Sequence, residues 1–357
     1  MRIAIVGGGI FGTTIAWNLA KYKLHVDVYE SNRDILCGAS AINQYRIHQG
    51  YHYPRSDDTA QSTRYSAPSF SATYPEANIS HYDHFYCIAS EHSLTSAEEY
   101  LEFLRRNELD YEEVTPPSMV KPNKIDLCVK VRESLFDPNV LRELIRERLN
   151  KYGVKVIHQH ATRALMDNYD LVVLATYSKN NEFLSGDAKH QQQGQFEVCE
   201  KPIVRLPDIY SGISLVMMDG PFMCFDPLGE TDQFVLGNVV HAIHHSNVGE
   251  LAEIPQELEP FINQGHISHP PVTRIDRFIE SAAEFFVDFG KAEHIASMYT
   301  VRTVLPNHEN DDARPTLVRR IHDNLISVFS GKIDTCQITA EEVLNIIEHK
   351  SVLEIKT

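Results

Sequence analysis

Residues 2–30 read RIAIVGGGIFGTTIAWNLAKYKLHVDVYE, and the order of signals in them decides the fold. Arg2 to Val6 is a short β-branched, apolar run, and Val26 to Glu30 is a second. Between them, Thr13 to Tyr22 sets Ile15, Ala16, Leu19 and Ala20 at helical spacing. Two buried strands joined through a helix imply a parallel sheet covered on both faces. Gly7, Gly9 and Gly12 fall between strand and helix as G-x-G-x-x-G, and Glu30 closes the second strand. The first glycine permits a tight turn, the second lets backbone approach a diphosphate, and the third lets helix and strand pack closely. The helix N-terminus offers free amides and partial positive charge to phosphate, while Glu30 can accept ribose hydroxyls. An acid there favours an unphosphorylated adenosine ribose, hence FAD or NAD rather than NADP.

Beyond this unit, residues 32–80 are rich in Tyr, His, Ser and Asn without a sustained period, which predicts a long ordered loop. A helix is expected over 96–106, with Thr95 and Glu98 at capping-box spacing. Asp137-Pro138 reads as an N-cap and first-turn proline, opening a helix that Gly153 stops. Val154 to Ile157 and DLVVLA at 170–175 follow as strands, the second apolar enough for the middle of a parallel sheet. Short strand-like runs at 213–217, 222–225 and 234–236, separated by Gly, Pro and Asp, predict a mostly antiparallel second sheet. A helix over 275–289, a strand over 325–329 and a helix over 339–349 complete the pattern, which revisits the first unit twice.

The 357 residues suffice for two domains. A net charge of -16 opposes nucleic-acid and anionic-membrane partners, because bulk repulsion works against phosphate binding. No apolar run is long enough to span a bilayer, and RIAIVGGG passes from apolar residues into glycines rather than a cleavage site, so a cytoplasmic protein is expected. The six cysteines are scattered singly, without disulfide or zinc spacing. His241, His244 and His245 gather closely but lack an evident further ligand, so a solvated loop is expected and no metal.

The chain resembles the FAD-dependent D-amino-acid oxidase superfamily, nearest in pattern to its glycine/sarcosine oxidase and L-2-hydroxyglutarate oxidase branches. The resemblance rests on GGGIFG with Glu30, on Gly38-Ala39-Ser40 with Asn43, on DPNVLRELIRERLNKYGVKV, on DLVVLAT, and on RTVLPN and SGKIDTC. INQYRIHQGYHYP looks most like the hydroxy-acid branch. It implies an α/β fold: a Rossmann-like FAD-binding domain with a parallel central sheet, over 1–80, 137–195 and 297–357, and a smaller α+β substrate domain with a mostly antiparallel sheet, over 81–136 and 196–296. The residues expected around FAD are Gly7, Gly9, Ile10, Phe11, Gly12, Glu30, Ser31, Ser40, Asn43, Val156, Ala175, Thr176, Gly331, Lys332 and Ile333. By resemblance, Ser40 and Asn43 lie near the pyrophosphate and ring, Val156 presents backbone to the adenine, and the Gly331–Lys332 turn meets the pyrimidine end of the isoalloxazine. The chain departs from the family pattern in having Tyr177 where many relatives have glycine, and one glycine in its closing motif instead of several. It has no cysteine near Arg302 to carry flavin covalently. His48 resembles in place the covalent histidine of the dimethylglycine-dehydrogenase branch, though its surroundings differ.

Flavin oxidation of an amine or alcohol needs a C–H bond held against N5, a stabilised acceptor, and a group to take the N–H or O–H proton. Arg302 resembles the family arginine that clamps a substrate carboxylate, although an arginine there also suits a structural ion pair. Arg46 falls in a flavin-facing stretch and could polarise N5, activate oxygen or bind an acidic group, or equally form a loop salt bridge. His48 is the expected base, with His52, Tyr51 and Tyr53 as aromatic polar walls. Arg314 could lie nearby, and Lys332 would favour an anionic reduced ring. The function expected is oxidation of a C–N or C–O bond in an amino acid, hydroxy acid or amino sugar. Oxygen or another electron acceptor would reoxidise the flavin, and homo-oligomers are possible partners. The rival readings are an NAD-dependent dehydrogenase and a noncatalytic FAD-binding subunit.

Overall fold

The computed structural model describes residues 1–220, 222–306 and 314–355, with side chains to residue 348. Asn307, the last residue of RTVLPN, lies outside the described residues. Six strands form one sheet in the order Leu317–His322, Leu325–Phe329, Leu171–Leu174, Arg2–Val6, His25–Glu30, Lys155–His158. Every neighbouring pair is parallel except the first. The helices Ile10–Lys21, Pro138–Lys151 and Cys336–Ile355 cover one face, where Ile15, Leu19, Leu141, Ile145 and Val343 join Ile3 and Ile5 in the main core. Phe183, Leu184 and Tyr169 cover the other face over Val6, Val172 and Leu174. Both faces are buried, which is why DLVVLA carries no polar alternation.

A nine-stranded sheet holds the rest of the site. Its centre is the long strand Gly194–Arg205, flanked by Glu293–Val304, Ile243–Gly249 and Gln233–Asn238. The sheet continues through Met223–Pro227, Ile213–Met218, Asp83–Ala89, Ile125–Val131 and Tyr111–Glu113. Only the pairing of Ile213–Met218 with Asp83–Ala89 is parallel. Helix Ile275–Phe285 packs Phe278, Ala282 and Phe285 on this sheet with Phe225, Phe286 and Phe289. Because Glu293–Val304 pairs along its length with Gly194–Arg205, residues 297–304 belong to the antiparallel sheet rather than to the parallel one.

The stretch expected as a loop over 32–80 contains the helix Asp57–Thr73, capped by Ser56. Its buried residues Thr59, Ala60, Thr63, Ser66, Ala67 and Phe70 do keep helical spacing, but they are small and mostly polar, so no hydrophobic period marks them. The capping box of Ala97–Arg106 is Ser96 with Glu99, one residue beyond the expected pair. The first helix starts at Ile10, and the last at Cys336, each three residues earlier than expected. The helix from Ile275 stops at Phe285, four residues short of the expected end. Among the described residues no helix is long and apolar enough to cross a membrane. The expected solvated histidine loop is instead largely the strand Ile243–Gly249, where His244 Nε2 sits 2.8 Å from the buried Glu200 carboxylate.

Candidate active site

The parallel strands Arg2–Val6, His25–Glu30, Leu171–Leu174 and Leu325–Phe329 end at one side of a cavity of about 800 Å³, and the nine-stranded sheet forms the other. Such a crevice at the carboxyl ends of parallel strands is where open α/β sheets bind ligands. Its volume lies at the upper end of the range for small-molecule sites.

The glycine turn is shaped as a cradle. Gly7 has φ +110°, and a Cβ there would lie 2.4 Å from the Ala175 carbonyl oxygen. At Gly12 a Cβ would meet the Gly7 carbonyl oxygen at 1.9 Å. Gly9 differs, since its φ is -71° and a Cβ would approach only Ser40 Oγ, at 3.2 Å. Not all amides of the turn are bare. Gly8 donates to Glu30 Oε2 at 2.7 Å, and Ile10 donates to Ser40 Oγ at 3.0 Å. Phe11 and Gly12, in the helix's first turn, have no intrahelical acceptor for their amides. Ser40 thus stands between the helix N-terminus and the cavity, with its own O–H left to donate.

Glu30 Oε1 accepts both the backbone amide and the side-chain amide of Asn32, at 2.6 and 2.7 Å. A carboxylate offers about four acceptor sites, so one remains for a ribose hydroxyl. Asn43 is spent locally: Nδ2 donates to the carbonyls of Ala39 and Ser40, and Oδ1 accepts from Tyr45 N. It shapes the 38–45 turn. Val156 does not line the cavity; it pairs with Val28 inside the sheet, and Gln159, His160 and Ala161 supply that end of the wall. Ser31, Ala175, Thr176 and Ile333 line the cavity. Thr176 holds the turn after its strand by donating from both N and Oγ1 to Asn180 Oδ1.

Tyr177, the departure from the glycine of the family pattern, has φ 57°. The left-handed backbone explains the preference for glycine at this place. Here a tyrosine tolerates it because its hydroxyl is gripped from the other sheet: it donates to Thr303 O at 2.8 Å and accepts from Thr303 N at 2.9 Å. At Gly331 a Cβ would lie 2.0 Å from the Arg314 carbonyl oxygen, so this turn too excludes any side chain. Lys332 Nζ lies 4.2 Å from the centroid of the Tyr53 ring, and burial pushes its pKa down to about 8.

At this end of the cavity His48, His52 and Tyr53 cluster, with the two imidazole centroids 5.0 Å apart. His48 Nδ1, His52 Nδ1 and the Tyr53 hydroxyl are all buried without a hydrogen-bond partner. Burial first, and then the positive charge of Lys332 and Arg46, hold His48 well below the ordinary histidine pKa. His52 is lowered in the same direction by burial, with His48, Lys332 and Arg46 adding to it. Both rings are therefore neutral at physiological pH. Tyr51 points away, donating to Asp110 O.

Arg46 lines the cavity but is not a free cation. Its guanidinium donates to Glu133 at 3.0 Å, to Asp226 at 2.6 Å and to Ser214, with all three acceptors buried. Two carboxylates neutralise it, so of the readings offered for Arg46 the salt bridge fits its surroundings and the binding of an acidic group does not. Arg302 also has an acidic partner, donating from Nε and Nη2 to Glu197 Oε2. Its side chain is 39% exposed and opens on the cavity, as does Arg314. The residue the sequence reading missed is Lys201. It lines the cavity from the strand Gly194–Arg205 with no acidic side chain within salt-bridge distance among the described residues. Its signal was present as alternation: Gln195, Glu197, Cys199 and Lys201 face the cavity, while Phe196 and Val198 enter a hydrophobic cluster. Cys199 and Cys224 also line the cavity, but burial raises both thiols, Cys224 to about 11, and keeps them protonated.

The comparisons with known proteins agree with this geometry. An FAD-dependent monooxygenase of Fusarium mangiferae is 25% identical over 366 residues, covering 98% of this chain and 92% of the relative. Glycine oxidase from Geobacillus kaustophilus has the same fold, with a TM-score of 0.72 at 15% identity, covering 98% of this chain and 95% of that one. The dithionite-reduced L-α-glycerophosphate oxidase of Mycoplasma pneumoniae, solved with FAD bound, gives a TM-score of 0.71 at 14% identity over 97% of this chain and 94% of its own. The family model of the DAO FAD-dependent oxidoreductases matches residues 2–331. With a glycine cradle that side chains would fill and the Glu30 carboxylate fastened to it, the chain belongs to the DAO family of FAD-dependent oxidoreductases.

Proposed function

We propose that this oxidoreductase removes two electrons from the C–N or C–O bond of a small polar metabolite bearing an acidic group: an amino acid, a hydroxy acid or an acidic amino sugar. The observation that carries the proposal is the set of three buried, unpartnered polar atoms, His48 Nδ1, His52 Nδ1 and Tyr53 Oη, on the cavity wall beside Lys332. Buried polar atoms are rarely left unpaired, so such a set marks a place for ligand. In this reading the first turn of the helix Ile10–Lys21 and Ser40 hold the diphosphate, Glu30 the ribose, and the Gly331–Ile333 turn the reacting ring. Bound FAD supplies the two-electron acceptor.

Lys201 and the cavity side of Arg302 attract the substrate's acidic group. Lys201 supplies a charge with no carboxylate in salt-bridge distance among the described residues, and Arg302 supplies directed N–H donors. The neutral His48 accepts the proton leaving the amine or hydroxyl at Nδ1, within a cluster that shields it from water. Arg46 acts through others, because it fixes Glu133, which lies 3.8 Å from His48 Nδ1. Oxygen or another electron carrier restores the oxidised cofactor. The six unpaired thiols suit a reducing compartment such as the cytosol.

Anaerobic bleaching of the purified yellow protein by a panel of amino, hydroxy and sugar acids tests this directly. No bleaching by any of them counts against it and favours the noncatalytic reading. The monooxygenase name of the Fusarium relative supports a second reading, in which one oxygen atom enters the substrate. That reading requires bleaching by NADH or NADPH, which the first does not.

A further inference from the structure

We infer a divalent transition-metal site outside the flavin cavity, formed by Asp187, His190 and His322. Their ligand atoms all lie within 4.8 Å of one another, and none of the three lines the cavity. Asp187 and His190 share one turn, closed by a hydrogen bond from His190 N to Asp187 O at 2.9 Å. His322 arrives from the end of the edge strand Leu317–His322. Each imidazole directs one nitrogen at a different oxygen of the same carboxylate: His190 Nδ1 to Oδ1 at 2.8 Å and His322 Nε2 to Oδ2 at 2.6 Å. The rings stand 82° apart with centroids 4.9 Å apart, so their nitrogens converge without stacking.

Two imidazoles and a carboxylate form a mixed nitrogen and oxygen donor set. That set suits Zn²⁺ and its transition-metal neighbours over the all-oxygen preference of Ca²⁺ or Mg²⁺. With bond lengths of about 2.0–2.2 Å, a tetrahedral ion needs the donors somewhat farther apart than the hydrogen bonds that now join them. The side chains are 14%, 24% and 35% exposed, which leaves an open side for a water ligand and room for that adjustment. The guanidinium of Arg163, 3.5 Å from Asp187 Oδ2, opposes a cation there and holds the affinity down. Asp187 and His190 sit in the connection that leaves the parallel sheet after Leu171–Leu174 and enters the other sheet at Gly194. A bound ion pins that passage to the edge strand, a structural role apart from the redox chemistry.

The test uses tag-free, FAD-loaded protein dialysed against Zn²⁺, followed by metal analysis. One ion per chain is expected, with affinity reduced at least tenfold in His322→Ala and Asp187→Asn and unchanged in His25→Ala, which removes an exposed histidine elsewhere. Equal uptake by wild type and His322→Ala, or none by wild type, would overturn the assignment. A second measurement needs no variant: diethyl pyrocarbonate labelling of His190 and His322, mapped by mass spectrometry. Zn²⁺ should protect both rings, and equal labelling with and without the ion refutes the site and leaves a hydrogen-bonded clasp.

Discussion

Replacing Arg46 by methionine separates two roles for this residue. The substitution keeps much of the side-chain volume and removes the charge, leaving Glu133 and Asp226 facing each other's surroundings with side chains 0% exposed. Glu133 would keep donors from Gln49 N and Tyr86 Oη, at 2.9 and 2.8 Å, and Asp226 would keep Ser214 Oγ and Gln44 Nε2, at 2.6 and 3.2 Å. These bonds soften the loss without cancelling two buried negative charges. Breaking a buried pair by removing one partner costs about 3–5 kcal/mol, a sizeable part of a domain's usual margin of about 5–15 kcal/mol. Arg46→Met is therefore expected to fold at 25 °C with its urea midpoint clearly lowered. Adding Glu133→Gln and Asp226→Asn removes the orphaned charges and should recover more than half the loss. The assay is urea unfolding followed by circular dichroism, with flavin release recorded in parallel. A loss below about 1 kcal/mol with turnover abolished would refute the reasoning, because it would make Arg46 a direct participant rather than a buried brace.

The glycines of the cradle should separate in the same kind of experiment. Gly12→Ala, whose Cβ would sit 1.9 Å from a carbonyl oxygen, is expected to prevent folding, whereas Gly9→Ala folds and binds FAD about 10–100-fold more weakly, as loss of one good hydrogen bond implies, measured by flavin fluorescence titration. Acid should destabilise the protein early. Burial lowers His84 to about 3, and His48 and His52 in the same direction, so between pH 6.5 and about 3 the unfolded chain binds protons that the folded chain does not. Stability is then present above pH 6.5 and lost as pH falls, by up to about 1.4 kcal/mol per pH unit for each histidine; His84→Gln should flatten the slope by that amount, read from urea midpoints. Lys201→Met should raise KM at least tenfold for a carboxylate substrate while leaving FAD content and kcat little changed, and an unaltered KM would remove Lys201 from substrate binding.

Much of the scaffold was legible because its signals are local. Asp137 caps the helix Pro138–Lys151 by accepting from the amides of Asn139 and Val140, as the Asp-Pro pair implied. Leu325–Phe329 is a strand over the expected residues. The helix Asp57–Thr73 was not legible, since it buries mostly Thr, Ser and Ala where the period calls for leucine, and it runs through a proline, Pro68, that reads as a helix breaker. The strand Gly194–Arg205 was missed for a related reason: the face that reads as solvent-polar in sequence points into a cavity.

The first thirty residues by themselves determined most of the cradle. Within that unit Gly12 must clear the Gly7 carbonyl oxygen and Glu30 accepts the Gly8 amide, whereas the demand for glycine at Gly7 is completed by the Ala175 carbonyl of a distant strand. The state of each charge in the site was decided by the tertiary structure alone. Glu133 and Asp226 lie 87 and 180 positions from Arg46, and Glu197 lies 105 from Arg302. A sequence presents three cations of equal standing at 46, 201 and 302. Folding gives carboxylates to two and leaves Lys201 facing the cavity, because Coulomb energy and desolvation depend on distance through space and not along the chain.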